Sequence, residues 1–188
     1  MASLTLLIIR HAEKPGSDEP WPGPGSEFDA TPDPESLVIR GWERAGAWTA
    51  LFGAGLGGTD YPAPAAVYAA NDSGSGDDVS KRPEETVSAL SPRLGLQTNL
   101  TYAKGQEQAL VQELLGLSGV VLVAWEHKAI ISGILPNLPI SSGTPPTHWN
   151  GSRFDVVLRF DRADGATGFA FQELFPMLMS GDSNTPLG

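Results

Sequence analysis

The sequence predicts an α/β fold: a three-layer sandwich with a mostly parallel central sheet. Two observations point to it. Leu6–Ile9, Ala65–Ala70 and Val120–Trp125 are continuous apolar runs, the pattern of strands buried on both faces. Between them lie segments whose apolar residues recur three and four apart, as along one face of a helix. Strands alternating with helices bury both faces of a parallel sheet.

Taken in order, residues 4–9 are the first strand. Residues 15–40 carry Pro15, Pro20, Pro22, Pro24, Pro32 and Pro34, a connection too punctuated for helix and long enough to be a lid. From Gly41 the pattern turns helical through Trp42, Ala45, Trp48, Leu51 and Phe52 until Gly53 and Gly55 stop it. The second strand, 65–70, runs into a flexible segment, Asn71–Asp78. Pro83 suits a first helical turn, and Glu84 and Glu85 complement the helix dipole there, so residues 83–91 are read as helix. Residues 97–102 read as a strand and 105–117 as an amphipathic helix through Leu110, Val111, Leu114 and Leu115. The run 120–125 is the clearest strand, followed by a helix through Ile130, Ile131, Ile134 and Leu135. A loop over 139–152 precedes two closing strands at 154–160 and 168–174. There is no internal repeat. Residues 1–180 are expected to form one domain, with 181–188 a flexible C-terminal tail.

The composition restricts the partners. A chain of 188 residues buries about 70% of its unfolded surface, so it needs no staple. The formal net charge of -10 repels nucleic acid and anionic lipid. Zero cysteines exclude disulfides and thiolate chemistry, and three widely spaced histidines, His11, His127 and His148, do not form a metal-ligand pattern. No Gly-x-x-x-x-Gly-Lys loop is present. No run approaches the ~18 apolar residues of a membrane span, and the N-terminal apolar run lacks a basic region and a cleavage site. The expectation is a soluble, cytoplasmic protein with no cofactor, no metal, and no nucleic-acid or membrane partner.

Against an acidic background the placement of cations matters. Arg10, Lys14, Lys81, Arg82 and Lys128 are five of only twelve lysines and arginines and fall in three short segments. In open α/β sheets ligands bind beyond the carboxyl ends of the strands. Arg10-His11 leaves the first strand, Arg82 follows the second, and His127 follows Val120–Trp125, so three distant segments converge on one edge. The chemistry that suits them is phosphoryl transfer. Two guanidiniums clamp phosphoryl oxygens bidentately, a second imidazole adds a donor, and one histidine is left as nucleophile. Neighbouring cations favour its neutral, reactive form.

Arg10-His11-Ala12-Glu13-Lys14-Pro15, Arg82-Pro83-x-x-Thr86 and Trp125-Glu126-His127 together resemble the histidine phosphatase superfamily, the phosphoglycerate mutase-like group, over most of residues 4–160. Arg40-Gly41-x-x-Arg44-Ala45 and Trp149 with Phe154-Asp155 extend the likeness. Within the family the chain is most similar to the small branch 1-type phosphatases. The family's common Arg-His-Gly is Arg-His-Ala here. The resemblance implies a phosphoglycerate mutase-like fold, His11 as the transient phosphohistidine, and Arg10, Arg82 and His127 as phosphoryl ligands. Lys14 is a further phosphate-binding candidate.

Leaving-group protonation calls for a carboxylic acid near the pocket. Glu107, at the start of a helix that follows a strand, ranks first, also because the resemblance places a donor glutamate some way after the second arginine. Asp72 ranks second. Glu126 ranks third, since strand alternation would turn its side chain from His127's face. Lys128 and His148 are read as surface groups, Trp42 and Trp48 as core, and Trp21 and Trp149 as loop residues able to stack on substrate. The expected activity is hydrolysis of phosphate monoesters, on a small molecule or a phosphoprotein. The alternatives are a phosphoglycerate mutase-type transferase and a non-catalytic phosphate or phosphoprotein binder. Specificity is assigned to the loops at 15–40, 71–81 and 139–152.

Overall fold

A computed structural model describes residues 2–16, 23–55, 57–73 and 80–188. The expectations for Trp21 and for most of the 71–78 segment fall outside those residues. The fold is α/β, with a seven-stranded sheet ordered β3-β2-β4-β1-β6-β7-β5. Its strands are β1 Leu4–Arg10, β2 Ala66–Ala69, β3 Thr98–Asn99, β4 Gly119–Trp125, β5 Ile140–Ser142, β6 Val157–Arg162 and β7 Phe169–Leu174. The helices are α1 Ile39–Gly53, α2 Arg82–Val87, α3 Leu90–Arg93, α4 Glu107–Leu115 and α5 His127–Ala129. The pairings among β3, β2, β4 and β1 are parallel, whereas β6 runs antiparallel to both β1 and β7.

Strand alternation divides the apolar side chains into two layers. Leu4, Leu6 and Ile8 join Val121, Val123, Trp125, Leu158 and Phe160 against Leu110, Val111 and Leu114 of α4. Leu7 and Ile9 join Val67, Leu122 and Ala124 against Trp48 and Phe52 of α1 and Val87 and Leu90 beyond. The central strands are buried on both faces because each face is roofed by helices. Each fully buried aliphatic or aromatic side chain contributes ~1.5–3 kcal/mol relative to exposure.

Several elements depart from expectation. The helix read over 83–91 divides into α2 and α3. The strand read over 97–102 contracts to Thr98–Asn99, because Asn71 takes over the backbone beyond it: its Nδ2 donates to Leu100 O and its N–H to Tyr102 O. The helix after β4 is α5 continued by a π turn, Ile130–Ile134, and a 3-10 turn, Leu135–Asn137. Inside the 139–152 loop a three-residue strand, β5, pairs with β7.

The tail read as flexible is packed. Asp182 pairs with Arg44, Arg153 donates to Ser183 O and Thr185 O, and Leu187 joins the core layer beside α4. No local pattern announces this, because Arg44 and Arg153 lie 138 and 30 positions from the tail residues they hold. No helix of the described residues is long and apolar enough to cross a membrane.

Candidate active site

The parallel register of β1 on β4 pairs Arg10 with Trp125, so the two strands end level. His11 N–H extends the ladder by donating to Trp125 O at 2.9 Å. Ala12 N–H donates to Thr86 Oγ1 at 2.8 Å, and that hydroxyl donates to Arg82 O at 2.7 Å. The threonine of the Arg82-Pro83-x-x-Thr86 segment thereby ties α2 to the residues after β1. Because β6 is antiparallel, the chain entering it arrives at the same edge, and Arg10 NH1 donates to the carbonyls of Gly151 and Arg153. The Arg10 guanidinium stacks on Phe154, its Cζ 3.7 Å from the ring centroid.

A cleft of about 280 Å³ opens at this edge, lined by His11, Lys14, Glu35, Asn71, Arg82 and Glu126 among others. His11 is buried, and its Nδ1 lies 2.7 Å from Ala12 O. A carbonyl only accepts, so Nδ1 carries the proton and Nε2 is left with its lone pair. Burial holds the His11 pKa well below 6.5, and the charges of Arg10, Arg82 and His127 push the same way. The imidazole is thus neutral, in one tautomer, beside cations.

Arg82 NH2 donates to Pro34 O at 3.0 Å and lies 3.3 Å from Glu35 Oε2. Its Nε, and the hydroxyl of Ser80 in the cleft lining, are buried with no hydrogen-bond partner among the described residues. Unpaired donors on residues that line a cleft rich in cations are groups an oxyanion can satisfy. Lys81, by contrast, is held by Glu27 and by Asp33 at 2.7 Å and points its charge into the 25–38 loop.

His127 is buried at the first turn after β4 and lines a second cavity, about 360 Å³, with Lys128, His148 and Trp149. Its charge reaches His11, but its ring is not part of the cleft lining. Glu126 does line the cleft. The strand ends one residue before it, so strand alternation no longer governs its direction. Its Oε2 caps α5 by accepting from Ala129 N–H at 2.8 Å, and its Oε1 lies 2.9 Å from His127 Nδ1, at ion-pair distance although not aligned as a hydrogen bond. Burial opposes its ionisation, but His127 and the N–H groups of Lys128 and Ala129 outweigh that and bring its pKa to about 2.

The two carboxylates ranked above it lie elsewhere. Glu107 Oε1 accepts from Trp125 Nε1 and from Gly105 N–H, both at 2.9 Å, within the layer under α4. Asp72 is exposed and lines a different cavity, about 630 Å³, with Trp42 and Glu84. Trp48 is core as expected, whereas Trp42 is half-buried and donates to Ser26 O.

Glu35 and Lys104 are cleft residues that sequence reasoning missed. Lys104 follows β3, and the strand-end rule applied there would have found it. Glu35 comes from the 15–40 loop and carries no local signal. Arg44 ties the chain leaving β1 to the C-terminal segment: its NH2 lies 2.8 Å from both Glu13 Oε1 and Asp182 Oδ1. At Gly41 a Cβ would come within 2.5 Å of Glu13 O, so only glycine lets α1 approach the chain leaving β1 this closely. No group of three or more metal-ligating side chains occurs among the described residues. Neither a scan against models of known protein families nor a search of curated proteins finds a match to this chain.

Proposed function

We propose that the chain is a phosphatase of the histidine phosphatase type, with a phosphoglycerate mutase-like fold, that hydrolyses phosphate monoesters through a phosphohistidine on His11. One observation carries the reading: a buried, neutral imidazole whose Nδ1–H is fixed on Ala12 O, with Nε2 left to attack. A phosphate monoester carries a charge of about -1.5 to -2 at neutral pH, and Arg82 with Lys14 at the cleft supplies the complementary charge. Arg10, held by two carbonyls and Phe154, adds a fixed positive field at His11.

The reaction has two displacements. His11 Nε2 forms a bond to phosphorus as the ester P–O bond breaks, and the bonding pair leaves with the oxygen. Water then attacks the phosphohistidine, the N–P bond breaks and returns its pair to Nε2, and inorganic phosphate departs. Cations placed where charge develops stabilise both transition states.

The test is turnover of an aryl phosphate by the purified protein, with rapid quenching in alkaline denaturant to trap label. The wild type releases inorganic phosphate and carries acid-labile phosphate, whereas His11→Ala does neither. Undiminished turnover by His11→Ala would refute the mechanism. Phosphate binding without label or turnover would favour the non-catalytic binder.

A further inference from the structure

We propose that Glu35 is the general acid of this site, protonating the leaving oxygen as His11 takes the phosphoryl group; the inference rests on the phosphatase reading. Four carboxylates compete for the role, and geometry separates them. Glu107 is spent on Trp125 Nε1 and Gly105 N–H and does not line the cleft. Asp72 faces another cavity. Both oxygens of Glu126 are engaged, one capping α5 and one at His127, which fixes it as an anion.

Glu35 differs in each respect. It lines the cleft with His11, and its side chain is 38% exposed, so it exchanges protons with solvent. Its carboxylate lies 3.3 Å from Arg82 NH2, a long contact. Its backbone is nonetheless placed, because Glu35 N–H donates to Asp33 Oδ1 at 2.8 Å and Asp33 is pinned by Lys81. A part-exposed carboxylate on a fixed backbone, in contact with a guanidinium of the cleft that holds His11, is placed to reach the oxygen that leaves.

The charges then drive the proton. In the resting site Glu35 neutralises Arg82. An arriving phosphate ester takes Arg82, so Glu35 loses a cation and gains an anionic neighbour, and both changes favour its protonated form. When the P–O bond breaks, the bonding pair stays on the leaving oxygen and the Glu35 proton moves to it, releasing a neutral alcohol or phenol. In the second displacement the Glu35 carboxylate takes a proton from the attacking water, which restores the acid.

The experiment compares wild type and Glu35→Gln on phenyl phosphate, whose leaving phenol has a pKa of about 10, and on 2,4-dinitrophenyl phosphate, whose leaving group needs no proton. Binding of inorganic phosphate to each protein is measured in parallel. Glu35→Gln is expected to lower kcat/KM, which reports the phosphoryl transfer to His11, by about 100-fold on phenyl phosphate while leaving kcat/KM on the dinitrophenyl ester nearly unchanged. It is expected to bind phosphate at least as tightly as wild type, because the competing carboxylate is gone. Equal losses of kcat/KM on both esters, no loss on either, or weakened phosphate binding overturns the assignment of Glu35 alone. Absence of wild-type turnover on both esters overturns the phosphatase reading and this inference with it.

Discussion

Replacing Asp182 by alanine tests how firmly the C-terminal segment is built into the fold. Asp182 and Arg44 have side chains only 2% and 5% exposed and lie 2.8 Å apart, with Glu13 as the second carboxylate on the same guanidinium. At that separation the attraction is ~6 kcal/mol for an effective dielectric constant of about 20, before desolvation is subtracted. Breaking a buried pair by removing one partner costs about 3–5 kcal/mol, and Glu13 stays to neutralise Arg44, so the expected loss is ~3 kcal/mol. Urea unfolding at pH 7 reads this as a drop in midpoint of ~1.5 M for a slope of about 2 kcal/mol/M. The pH dependence supplies a second check. Burial disfavours the Asp182 carboxylate, but Arg44 and the N–H groups of Met179 and Leu178 outweigh it and lower its pKa below 3.8. A depressed acid contributes above its unfolded pKa and loses that contribution as pH falls through its folded value. The gap between wild type and Asp182→Ala should therefore be full at pH 7 and shrink below pH 3.8. A loss under about 0.5 kcal/mol at pH 7, the value of an exposed pair, would refute the seating of the tail.

Two further outcomes are expected. His11 should remain neutral in an NMR titration well below pH 6.5, since burial and then Arg10 lower its pKa. The unfolded chain binds that proton first, so stability should fall as pH drops below 6.5, by at most ~1.4 kcal/mol per pH unit; a normal titration near 6.5 would contradict the cationic, buried setting. Glu107→Leu should cost ~2–3 kcal/mol in thermal or urea unfolding by leaving Trp125 Nε1 unpaired in the core, yet leave phosphate affinity unchanged; a large loss of affinity with intact stability would place Glu107 in the site.

Much of the sheet was legible because its signal is local. β1 and β4 each contain a continuous apolar run, and the end of each run marks where Arg10-His11 and Glu126-His127 emerge. Short strands were not legible: β5 has three residues beside Pro139, too few for periodicity to register. Thr98–Asn99 is shorter still, trimmed by hydrogen bonds from Asn71 that no pattern at 97–102 encodes.

The candidate site divides the same way. The sequence alone determined which cations and imidazoles emerge just after the strands, because residue type and strand length set them. Tertiary structure decided which carboxylate faces them. Glu107, Asp72 and Glu126 each follow a strand, yet one turns to Trp125, one to another cavity and one to its own helix, while Glu35 enters from a proline-rich loop. Side-chain direction at a loop or helix start depends on long-range partners, such as Arg82 for Glu35 and Arg44 for Asp182. Those partners are tens of residues away, and only the folded chain brings them together.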